Sequence, residues 1–458
     1  MRLNPLLPNL ERTITKKMLE YIGVESIDDL FTDVPHDLIL KRPLRIPSVK
    51  SEYEIEREIG GLLARNNQNP SRCFIGGGIY SHYIPSVVDE LASRSEFMTS
   101  YTQYQPEVSQ GMLQALFEYQ SLICDLTGMD VANSSMYDWA TAVGEASRMA
   151  MRVNGRKRIL TFRNIGPERL EVMRTYCDPL DARIDVIDYN DSGRIDFSSL
   201  KDSIDTDVSA VYVENPNFFG LLEEQIDDLA SIIHEKDALL IMGTDPISLG
   251  LIKPPGEYGA DIVVGEGQSL GLHMSFGGPS FGIFAAKGEK SIIRQMPGRI
   301  IGLTTSRDGN RRGYSMIMQT REQHIRRENA TSNICTNQAL SALTACIYLS
   351  LLGGDGLRDL STSIISKSHY TTKLLSGIDG LGLRFRHPFF REFTLRVENP
   401  EQDVNKILQE MSREGIHVGP WLGQWYDELR DSFLLAVSEI HLKDDLNCLH
   451  ETLERRIK

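Results

Sequence analysis

This 458-residue sequence lacks the short motifs that most often reveal an enzyme's chemistry. It has no His-x-x-Glu-His, no Gly-x-Ser-x-Gly, no Walker loop and no dinucleotide fingerprint. Its ten histidines are scattered without metal-ligand spacing, and its six cysteines include no C-x-x-C pair. Reduced thiols are therefore favoured over a zinc site or a disulfide framework, and a metal site is not expected.

Positive charge is also scarce, since 49 Lys and Arg stand against 63 Asp and Glu and give a net charge of −14. Such a surface disfavours phosphate backbones, so nucleic acid is not an expected partner. The opening "MRLNPLLPNLERTITKK" has no apolar segment with a small-residue cleavage site, and export is not expected. The long uncharged stretch 330–354 carries too much Ser, Thr, Asn and Gln for a membrane span and predicts a buried helix. These features predict a cytoplasmic protein.

The middle of the chain alternates apolar strand patterns with helical ones. The strand patterns are "RILTF", "RIDVIDY", "VSAVYVENP", "ALLIMGTDP", "ADIVVGEG" and "FGIFAAK". The helical patterns "PERLEVMRTYC", "DFSSLKDSI" and "EEQIDDLASIIHEKD" lie between the first four of them. Crossover units of this kind predict an α/β fold with a largely parallel sheet covered on both faces. We expect an N-terminal helical segment over 1–65, a large α/β domain over 66–345 and a smaller C-terminal α+β domain over 346–458.

Two polar residues follow strands of this predicted sheet, at the edge where ligands bind in such folds. Asp245 ends "LLIMGTD", and Gln268 lies in the loop between "IVVGE" and the glycine turn "FGGPSFG". A pyridoxal-phosphate enzyme has this layout, with a carboxylate that keeps the pyridine nitrogen protonated and a lysine on the later loop that forms the Schiff base. The loop has no lysine before Lys287. The pattern leaves open that Asp245 only caps the turn in "TDPIS".

A second glycine-rich stretch, "FIGGGIYSHY" at 74–83, comes earlier in the chain. No Lys-Ser or Lys-Thr step follows it, as a phosphate-binding loop of the Walker type would require. A tight turn with close backbone approach is therefore favoured over a phosphate cradle.

Long blocks of the sequence resemble the N-terminal-half subunit of glycine dehydrogenase (decarboxylating), the P-protein of the glycine cleavage system. They are "HYIPSVVDELASRSEFMTSYTQYQPEVSQGMLQALFEYQSLICDLTGMDVANSSMYD", "NPNFFG", "SLGLIKPPGEYGADIVVGEGQSLG", "SFGGPSFG" and "QTREQHIRRENATSNICTNQAL". The resemblance runs from about residue 10 to the C-terminus and is dense over 74–142 and 212–350. It implies an aspartate-aminotransferase-like fold, that of the fold type I pyridoxal-phosphate enzymes.

In the two-subunit form of this family, the resemblance implies, a homologous partner subunit holds pyridoxal phosphate covalently. Counted back from the shared turn at Pro279, the lysine position falls on Gln268, and a carboxamide cannot form an imine. Gly166 stands where close relatives show a His for stacking on the pyridine ring, and Trp139 where they show Gly in the phosphate turn. By resemblance, this chain has no cofactor site of its own, and Asp245 is vestigial.

The resemblance also implies that this chain completes the partner's active site. The threonine that reaches a neighbouring subunit's cofactor phosphate falls on Thr331, with Asn333 nearby. In "YTQYQPE", Tyr101, Tyr104 and Glu107 surround a proline on a loop that suits either the partner's substrate channel or packing at the subunit interface.

A basic segment, "TREQHIRRE", supplies Arg321 and His324, followed by Arg326 and Arg327. Ion pairs on a solvated helix face are favoured for most of these side chains. Contact with glycine's carboxylate or steering of the lipoyl carrier is the alternative. A fixed salt bridge to a carboxylate that leaves as carbon dioxide would stabilise the ground state more than the transition state, so the structural role has more weight.

The activity implied by the resemblance is decarboxylation of glycine, with transfer of the aminomethyl group to the lipoamide of the H-protein. The expected partners are the lysine-bearing P-protein subunit 2 and the lipoylated H-protein, and the expected cofactor is pyridoxal 5'-phosphate held by subunit 2. Two alternatives remain open. One is an autonomous pyridoxal-phosphate enzyme with another lysine, such as the badly placed Lys253 in "LIKPP". The other is a non-catalytic scaffold or regulatory protein that kept the fold.

Overall fold

Two units make up the chain, residues 1–66 and 67–458. The computed structural model describes residues 11–66, 69–100, 103–278, 280–334 and 336–457. In the first unit, helix α1 (Arg12–Ile22) ends at Gly23, which is left-handed and donates its N–H to the Leu19 carbonyl. Helix α2 (Glu52–Leu63) begins with a capping box between Ser51 and Glu54. None of the residues 11–66 is buried.

The second unit contains the remaining helices and all the described strands. The helices are α3 (Ser86–Ala92), α4 (Ser95–Met98), α5 (Gln110–Thr127), α6 (Trp139–Asn154), α7 (Pro167–Cys177), α8 (Phe197–Ser203), α9 (Ile226–His234), α10 (Lys290–Ile293), α11 (Gln323–Arg326), α12 (Ala339–Leu375), α13 (Val404–Arg413) and α14 (Lys443–Ile457). The strands are β1 (Cys73–Ile75), β2 (Val131–Ala132), β3 (Arg158–Phe162), β4 (Arg183–Ile187), β5 (Val208–Glu214), β6 (Leu239–Thr244), β7 (Ile262–Glu266), β8 (Gly282–Ala286), β9 (Ile300–Thr305), β10 (Arg312–Ile317), β11 (Leu381–Leu383), β12 (Glu392–Val397), β13 (His417–Gly419) and β14 (Ser432–Ala436).

Seven strands form the central sheet in the order β2-β8-β7-β6-β5-β3-β4. Strands β3 to β7 pair in parallel, whereas β8 runs antiparallel to β7 and β2 antiparallel to β8. A parallel connection usually needs a crossover helix. Helices α7, α8 and α9 supply three of the four crossovers, and two short turns (Ser248–Gly250 and Pro255–Tyr258) join β6 to β7. No helix is described between β7 and β8, which are antiparallel. The predicted α/β fold with a mainly parallel sheet is confirmed.

Both faces of this sheet are covered, as the apolar runs predict. Every residue of β5 is buried, and its side chains alternate between two hydrophobic clusters. Val211 and Val213 belong to the cluster that includes α5, α9 and α12. Ala210 and Tyr212 belong to the cluster that includes α6 and α7. The sheet is therefore sandwiched between helical layers, which leaves its strand ends as the place for a site.

The uncharged stretch 330–354 contributes the first part of α12, where most residues of 341–349 are buried as predicted. The helix continues through charged residues to Leu375 and is interrupted at Gly353, with φ 61° and ψ −177°. By length and composition α12 is apolar enough to cross a membrane. Half of its most apolar 18-residue stretch is buried within the protein, as in a core helix.

A smaller antiparallel sheet follows, in the order β11-β12-β14. It has its own hydrophobic cluster with α13 and α14, which includes Phe393, Leu434 and Leu449. Strand β12 begins at Glu392, directly after Arg391. Both of these side chains line a cavity at the carboxyl edge of the central sheet, so this smaller sheet delivers charged groups to that edge.

Candidate functional site

A small cavity lies at the carboxyl ends of β5 and β6, the edge at which α/β sheets bind ligands. Its free volume is about 20 Å³, which is room for about one water molecule. Its lining is dominated by charged and aromatic side chains. They are Tyr80, Trp139, Arg169, Glu214, Phe218, Asp245, Arg391 and Glu392.

Trp139 and Arg169 fill much of this edge of the sheet. The Arg169 guanidinium lies 4.0 Å from the centroid of the Trp139 ring, in cation–π contact. It also forms two hydrogen bonds with Glu214, Nε to Oε1 at 2.6 Å and an NH₂ group to Oε2 at 3.1 Å. Arg169 is 4 % exposed and Glu214 is 2 % exposed. Burial raises the pKa of the Glu214 carboxyl, and the guanidinium opposes that rise. The pair is therefore a buried, bidentate salt bridge.

The absence of a side chain at Gly166 leaves room for this salt bridge. A Cβ atom at position 166 would lie 2.1 Å from the guanidinium carbon of Arg169. The Gly166 N–H donates to the Glu214 carboxylate at 3.1 Å, so the backbone here also supports the pair. A side chain that stacks on a ligand ring cannot share this space with Arg169. Trp139 and Gly166, singled out from the sequence as departures from the family, thus both lie against Arg169.

Asp245 is buried and makes two structural contacts. Its Oδ2 lies 2.8 Å from Nε of Arg391, and its Oδ1 accepts the N–H of Ile247 at 3.0 Å. Burial raises the pKa of Asp245, and Arg391 opposes this shift. The second contact is the turn cap that the "TDPIS" sequence left open as an alternative. The first was not foreseen, because Arg391 comes from the distant C-terminal part of the chain.

Gln268 has every polar atom of its carboxamide engaged. Its Nε2 donates to the carbonyls of Tyr80 at 3.1 Å and Leu272 at 2.8 Å. Its Oε1 accepts the N–H of Tyr80 at 3.0 Å. The side chain is 2 % exposed, so these bonds replace water fully. Gln268 therefore holds its own loop and the backbone of Tyr80, whose side chain lines the cavity.

Two further carboxyl groups at this edge have strongly shifted pKa values. Burial raises the pKa of Glu266 to about 7, against the lowering effect of hydrogen bonds from Ser280 and from the backbone of Trp139 and Gln268. Burial likewise raises the pKa of Glu392 to about 7. Such shifts often mark functional sites, but each of these carboxyls also accepts backbone hydrogen bonds that fix the surrounding loops.

The glycine-rich stretch 74–83 approaches the smaller sheet closely. A Cβ at Gly76 would lie 2.4 Å from Oε1 of Glu392, and the N–H of Gly77 donates to that oxygen at 2.5 Å. Gly77 and Gly78 have positive φ angles of 110° and 111°, which favour glycine. A tight turn with close backbone approach, predicted from the sequence, is confirmed.

Thr331 and Asn333 lie apart from the cavity, on the segment that precedes α12. Thr331 is half-buried, and its hydroxyl donates to the carbonyl of Arg321 at 3.2 Å. Ser332 between them donates to Oε1 of Glu145 at 2.8 Å. Asn333 is exposed. The segment is thus anchored at its first two residues and presents the third to solvent.

Arg321 is an exception to the solvated helix face that was expected for most of this basic segment. The side chain is 7 % exposed, and its guanidinium donates to the carbonyls of Met296 and, at 2.8 Å, Gly298. The segment folds as two short 3-10 turns (Gln319–Arg321 and Arg327–Asn329) on either side of the one-turn helix α11 rather than as one helix, which directs Arg321 inward. His324 is half-exposed, with Nδ1 3.8 Å from Oε2 of Glu322. Arg326 and Arg327 are exposed, as expected.

Tyr104 is partly buried, and the guanidinium of Arg299 lies 3.9 Å from the centroid of its ring. Arg299 in turn pairs with Glu322 at 3.1 Å. Glu107 is exposed. Tyr101 lies outside the described residues. The aromatic part of this loop is therefore packed through Tyr104, while its acidic end is free to meet solvent or another chain.

Sequence reasoning missed four residues that form the cavity: Arg169, Glu214, Arg391 and Glu392. Glu214 had a usable signal, because it ends an apolar strand as Asp245 nearly does. Arg169 stands in a helical pattern typical of a solvated face, and no local feature shows that it turns inward. Arg391 and Glu392 come from another part of the chain, so only the tertiary fold brings them here. Lys253, the alternative nucleophile, is exposed and pairs with Asp227 at 2.7 Å.

Pyridoxal phosphate, the cofactor that the resemblance implies, does not fit this chain's own cavity. The free volume of about 20 Å³ is far below that of a pyridine ring with a phosphate. Trp139 and Arg169 occupy the space, and the loop after β7 presents the carboxamide of Gln268 rather than an amine. No chemical step in this chain is therefore assigned to that cofactor.

Comparisons with known proteins agree on one family. The family model described as glycine cleavage system P-protein matches residues 8–453. A protein from Staphylothermus marinus named probable glycine dehydrogenase (decarboxylating) subunit 1 is 50% identical over 98% of this chain and 97% of its own length. A crystal structure of glycine decarboxylase (P-protein) of the glycine cleavage system, in inhibitor-bound form, has a TM-score of 0.88 and 39% identity and covers 100% of both chains. Alanine–glyoxylate aminotransferase from Nostoc sp. shares the fold alone, with a TM-score of 0.59 and 15% identity over 92% of this chain and 99% of its own. The aspartate-aminotransferase-like, fold type I architecture is confirmed.

Proposed function

Because this chain belongs to the glycine cleavage system P-protein family, we propose that it is the subunit of a two-chain glycine dehydrogenase (decarboxylating) that does not hold the cofactor. Its partner, P-protein subunit 2, carries pyridoxal phosphate on a lysine. The pair decarboxylates glycine and passes the aminomethyl group to the lipoamide of the H-protein. The name of the Staphylothermus marinus relative, "subunit 1", supports a second subunit.

One observation carries this proposal: Gln268 occupies the loop position from which a lysine would have to act. Its carboxamide has no nucleophilic nitrogen and is fully hydrogen-bonded to Tyr80 and Leu272. Rotation of Gln268 toward the cavity would break three buried hydrogen bonds. The salt bridge between Arg169 and Glu214 supports the same conclusion, since it fills the neighbouring space.

The chain's own contribution lies in shaping the partner's site. We assign Thr331 and Asn333 to the phosphate of the cofactor held by the partner, and Tyr104 with Glu107 and Tyr101 to the rim of the partner's substrate channel. The Thr331 hydroxyl donates to the Arg321 carbonyl across 3.2 Å, longer than the usual hydroxyl hydrogen bond. Rotation of that hydroxyl toward a phosphate oxygen therefore sacrifices little. Asn333 is exposed and offers an amide donor.

The decisive experiment expresses the chain alone, its partner subunit alone, and both together. Glycine–bicarbonate exchange is expected only from the pair, and borohydride reduction is expected to trap pyridoxal phosphate on the partner alone. Covalent cofactor on this chain, or full activity of the isolated chain, would contradict the proposal. Pairing without any exchange activity would favour the scaffold or regulatory alternative.

The role of Thr331 has its own test in the paired enzyme. Thr331→Val keeps the side-chain volume and removes the hydroxyl, so the pair is expected to hold pyridoxal phosphate less tightly while pairing is unchanged. Thr320→Val, at an exposed position on the preceding turn, is the control. Unchanged cofactor affinity in Thr331→Val would remove Thr331 from the phosphate site.

A further inference from the structure

Three arginines converge where α6 meets the segment before β9. Arg152 donates Nε to Oε1 of Gln295 at 3.1 Å and an NH₂ group to the Gln295 carbonyl at 2.9 Å. Arg321 donates to carbonyls of the same segment, at Met296 and Gly298. Arg148 lies one helical turn before Arg152, on the same face of α6. We call these three side chains the arginine cluster.

The arginine cluster is short of negative charge. Among the residues that the structure describes, Arg148, Arg152 and Arg321 form no ion pair with a carboxylate. Burial lowers the pKa of Arg152 to about 10, and Arg148 and Arg321 add to the lowering. The carboxyl that opposes it is Glu145, which is buried, has a pKa raised by that burial, and accepts a hydrogen bond from Ser332. The carboxyl that opposes the lowering of the Arg321 pKa is Glu322, which is paired with Arg299 at 3.1 Å. Glu145 is therefore the one carboxyl near the cluster that no other described arginine pairs with.

Other buried arginines of the chain do not have this deficit. Arg169 pairs with Glu214 at 2.6 Å, Arg391 with Asp245 at 2.8 Å and Arg299 with Glu322 at 3.1 Å. A buried guanidinium without a counterion is costly, which is why folded chains pair such groups. Arg321 is therefore an exception among the buried arginines that the structure describes, in a protein of net charge −14.

Donors and an acceptor at the cluster remain unused. The Nε atoms of Arg148 and Arg321 are buried without a hydrogen-bond partner, and so is Oε2 of Glu145. Arg321 is 7 % exposed as a residue. Buried polar atoms are almost always satisfied in a complete structure. An anionic group from outside this chain would accept hydrogen bonds from these unused arginine donors.

The open side of the cluster is the segment already assigned to the partner. Thr331 bonds to the backbone of Arg321, and Ser332 bonds to Glu145, so these two residues border the arginines directly. Asn333 is exposed next to them, while Arg148 and Arg152 are half-buried. A chain that reaches Thr331 and Asn333 also reaches the arginine cluster.

We propose that the arginine cluster of Arg148, Arg152 and Arg321 is a receptor for a carboxylate side chain of the partner subunit. The inference rests on the proposed pairing of this chain with a second subunit. Guanidinium groups bind carboxylates through paired, charge-assisted hydrogen bonds, as Arg169 binds Glu214 in this chain. The partner's carboxylate satisfies the unused donors on pairing, so the cluster contributes to association rather than to the fold of the isolated chain.

Arg148→Gln is the sharpest test, made in the full chain with the lysine-bearing subunit. The side chain of Arg148 makes no hydrogen bond to a described residue; Arg152 repels it and Glu145 attracts it. The variant is therefore expected to keep a melting temperature close to that of the wild type in the isolated chain. Its dissociation constant for the partner is expected to rise about tenfold or more, with a weaker dependence on salt. Arg148→Lys, which keeps the charge, is expected to lose less.

The matched control is Arg358→Gln on α12, whose side chain is 63% exposed and pairs with Asp355. It is expected to leave partner affinity unchanged. Inorganic phosphate is added to the isolated chain at constant ionic strength as a third arm. If phosphate stabilises the wild type but not Arg148→Gln while pairing is unaffected, the cluster binds a free anion and the proposal is wrong.

The outcomes separate this inference from the proposed function. If the wild type binds the partner subunit and Arg148→Gln binds it with the same affinity and salt dependence, the proposed carboxylate receptor is wrong and the proposed function stands. A wild-type chain that does not bind the lysine-bearing subunit overturns the proposed function, and the receptor with it.

Discussion

The guanidinium of Arg169 stacks on the ring of Trp139 at 4.0 Å, at the carboxyl edge of the central sheet. The contact joins residues from the starts of two different helices, α6 and α7. Glu214, at the end of β5, holds the guanidinium from the other side. A site where a ligand would enter this fold is therefore closed by three side chains of the protein itself.

The fit of Arg169 beside Gly166 predicts a strong coupling between the two positions. Gly166 has φ −57°, so alanine is allowed by the backbone and its cost comes from the guanidinium 2.1 Å from the new Cβ. Gly166→Ala is expected to reduce the free energy of unfolding by about 1–3 kcal/mol. In the Arg169→Ala background the same change is expected to cost less, with a coupling of about 0.5–3 kcal/mol in denaturant titrations.

Gly111→Ala is the control for that cycle. Gly111 is an exposed residue of α5, and no heavy atom lies within 4 Å of a Cβ built there. Its substitution is expected to leave the chain at or above wild-type stability. Additive costs at positions 166 and 169 would show that Arg169 moves aside freely.

Replacing Gln268 with lysine is expected to destabilise the chain without creating a cofactor site. Lysine cannot accept the Tyr80 N–H, which would be left buried and unpaired at a cost of about 1–3 kcal/mol. Trp139 and Arg169 still fill the adjacent space. Thermal unfolding measures the first effect, and borohydride reduction with pyridoxal phosphate followed by mass spectrometry measures the second.

The lysine variant is destabilised both by the lost hydrogen bonds and by the buried charge. Gln268→Met separates these two causes, because it removes the hydrogen bonds without adding a charge. The lysine variant is expected to be the less stable of the two. A reducible adduct at position 268 would mean that side-chain packing does not exclude the cofactor.

Glu266 makes stability depend on pH in a definite direction. Its pKa is raised to about 7 in the folded chain against 4.5 as the ordinary value. The folded state therefore holds more protons than the unfolded state between these values, and the contribution of Glu266 to stability falls as pH rises from 4.5 to 7 and is constant above. The change amounts to roughly 3 kcal/mol.

Glu266→Gln removes this contribution, and denaturant titrations at several pH values measure it. The difference in unfolding free energy between wild type and variant is expected to shrink from pH 5 toward pH 7. Comparison of the two chains cancels the opposite effect of His441, whose pKa burial lowers to about 4. Glu90→Gln, at an exposed position, is expected to show no such trend. A pH-independent difference would place the Glu266 pKa near its ordinary value.

The pair of Asp245 and Arg391 is expected to behave as a structural ion pair. Arg391→Met leaves the buried Asp245 carboxylate unpaired, and the free energy of unfolding is expected to fall by about 3–5 kcal/mol. Adding Asp245→Ala to that variant is expected to cost less than Asp245→Ala alone, as measured by a double-mutant cycle. Independent effects would instead assign Asp245 a role outside the pair.

Six of the seven strands of the central sheet were predictable because each is a short apolar run bounded by turn residues, whereas the two-residue β2 was not predicted. "RILTF" and "PERLEVMRTYC" correspond to β3 and α7 as the structure has them. Such runs are typical of strands buried on both faces, and they need no knowledge of distant contacts. The glycine-rich turn at 74–83 was predictable for the same local reason.

The closed cavity was only half predictable. Trp139 and Gly166 could each be recognised from the sequence as departures from the family. Both lie against Arg169, which looks like a solvated helix residue in the sequence, so their arrangement could not be predicted. Arg321 failed for a related reason. A continuous helix would have turned Arg321 to solvent, whereas the break between the Gln319–Arg321 turn and the short helix α11 buries it. Local periodicity does not carry this information, because burial of a long cationic side chain is decided by the partners it meets.

The hydrogen bonds of Gln268 also bear on how such a chain can change over time. Glutamine and lysine codons differ by a single base, so a mutation back to the amine is always within reach. Such a mutation alone would lose the hydrogen bonds between Gln268 and the Tyr80 backbone. It would also leave Arg169 and Trp139 in the cavity, so several substitutions would have to occur together. Under the proposed pairing of two chains, this packing keeps the cofactor site with the partner, because a single substitution at position 268 does not create one here.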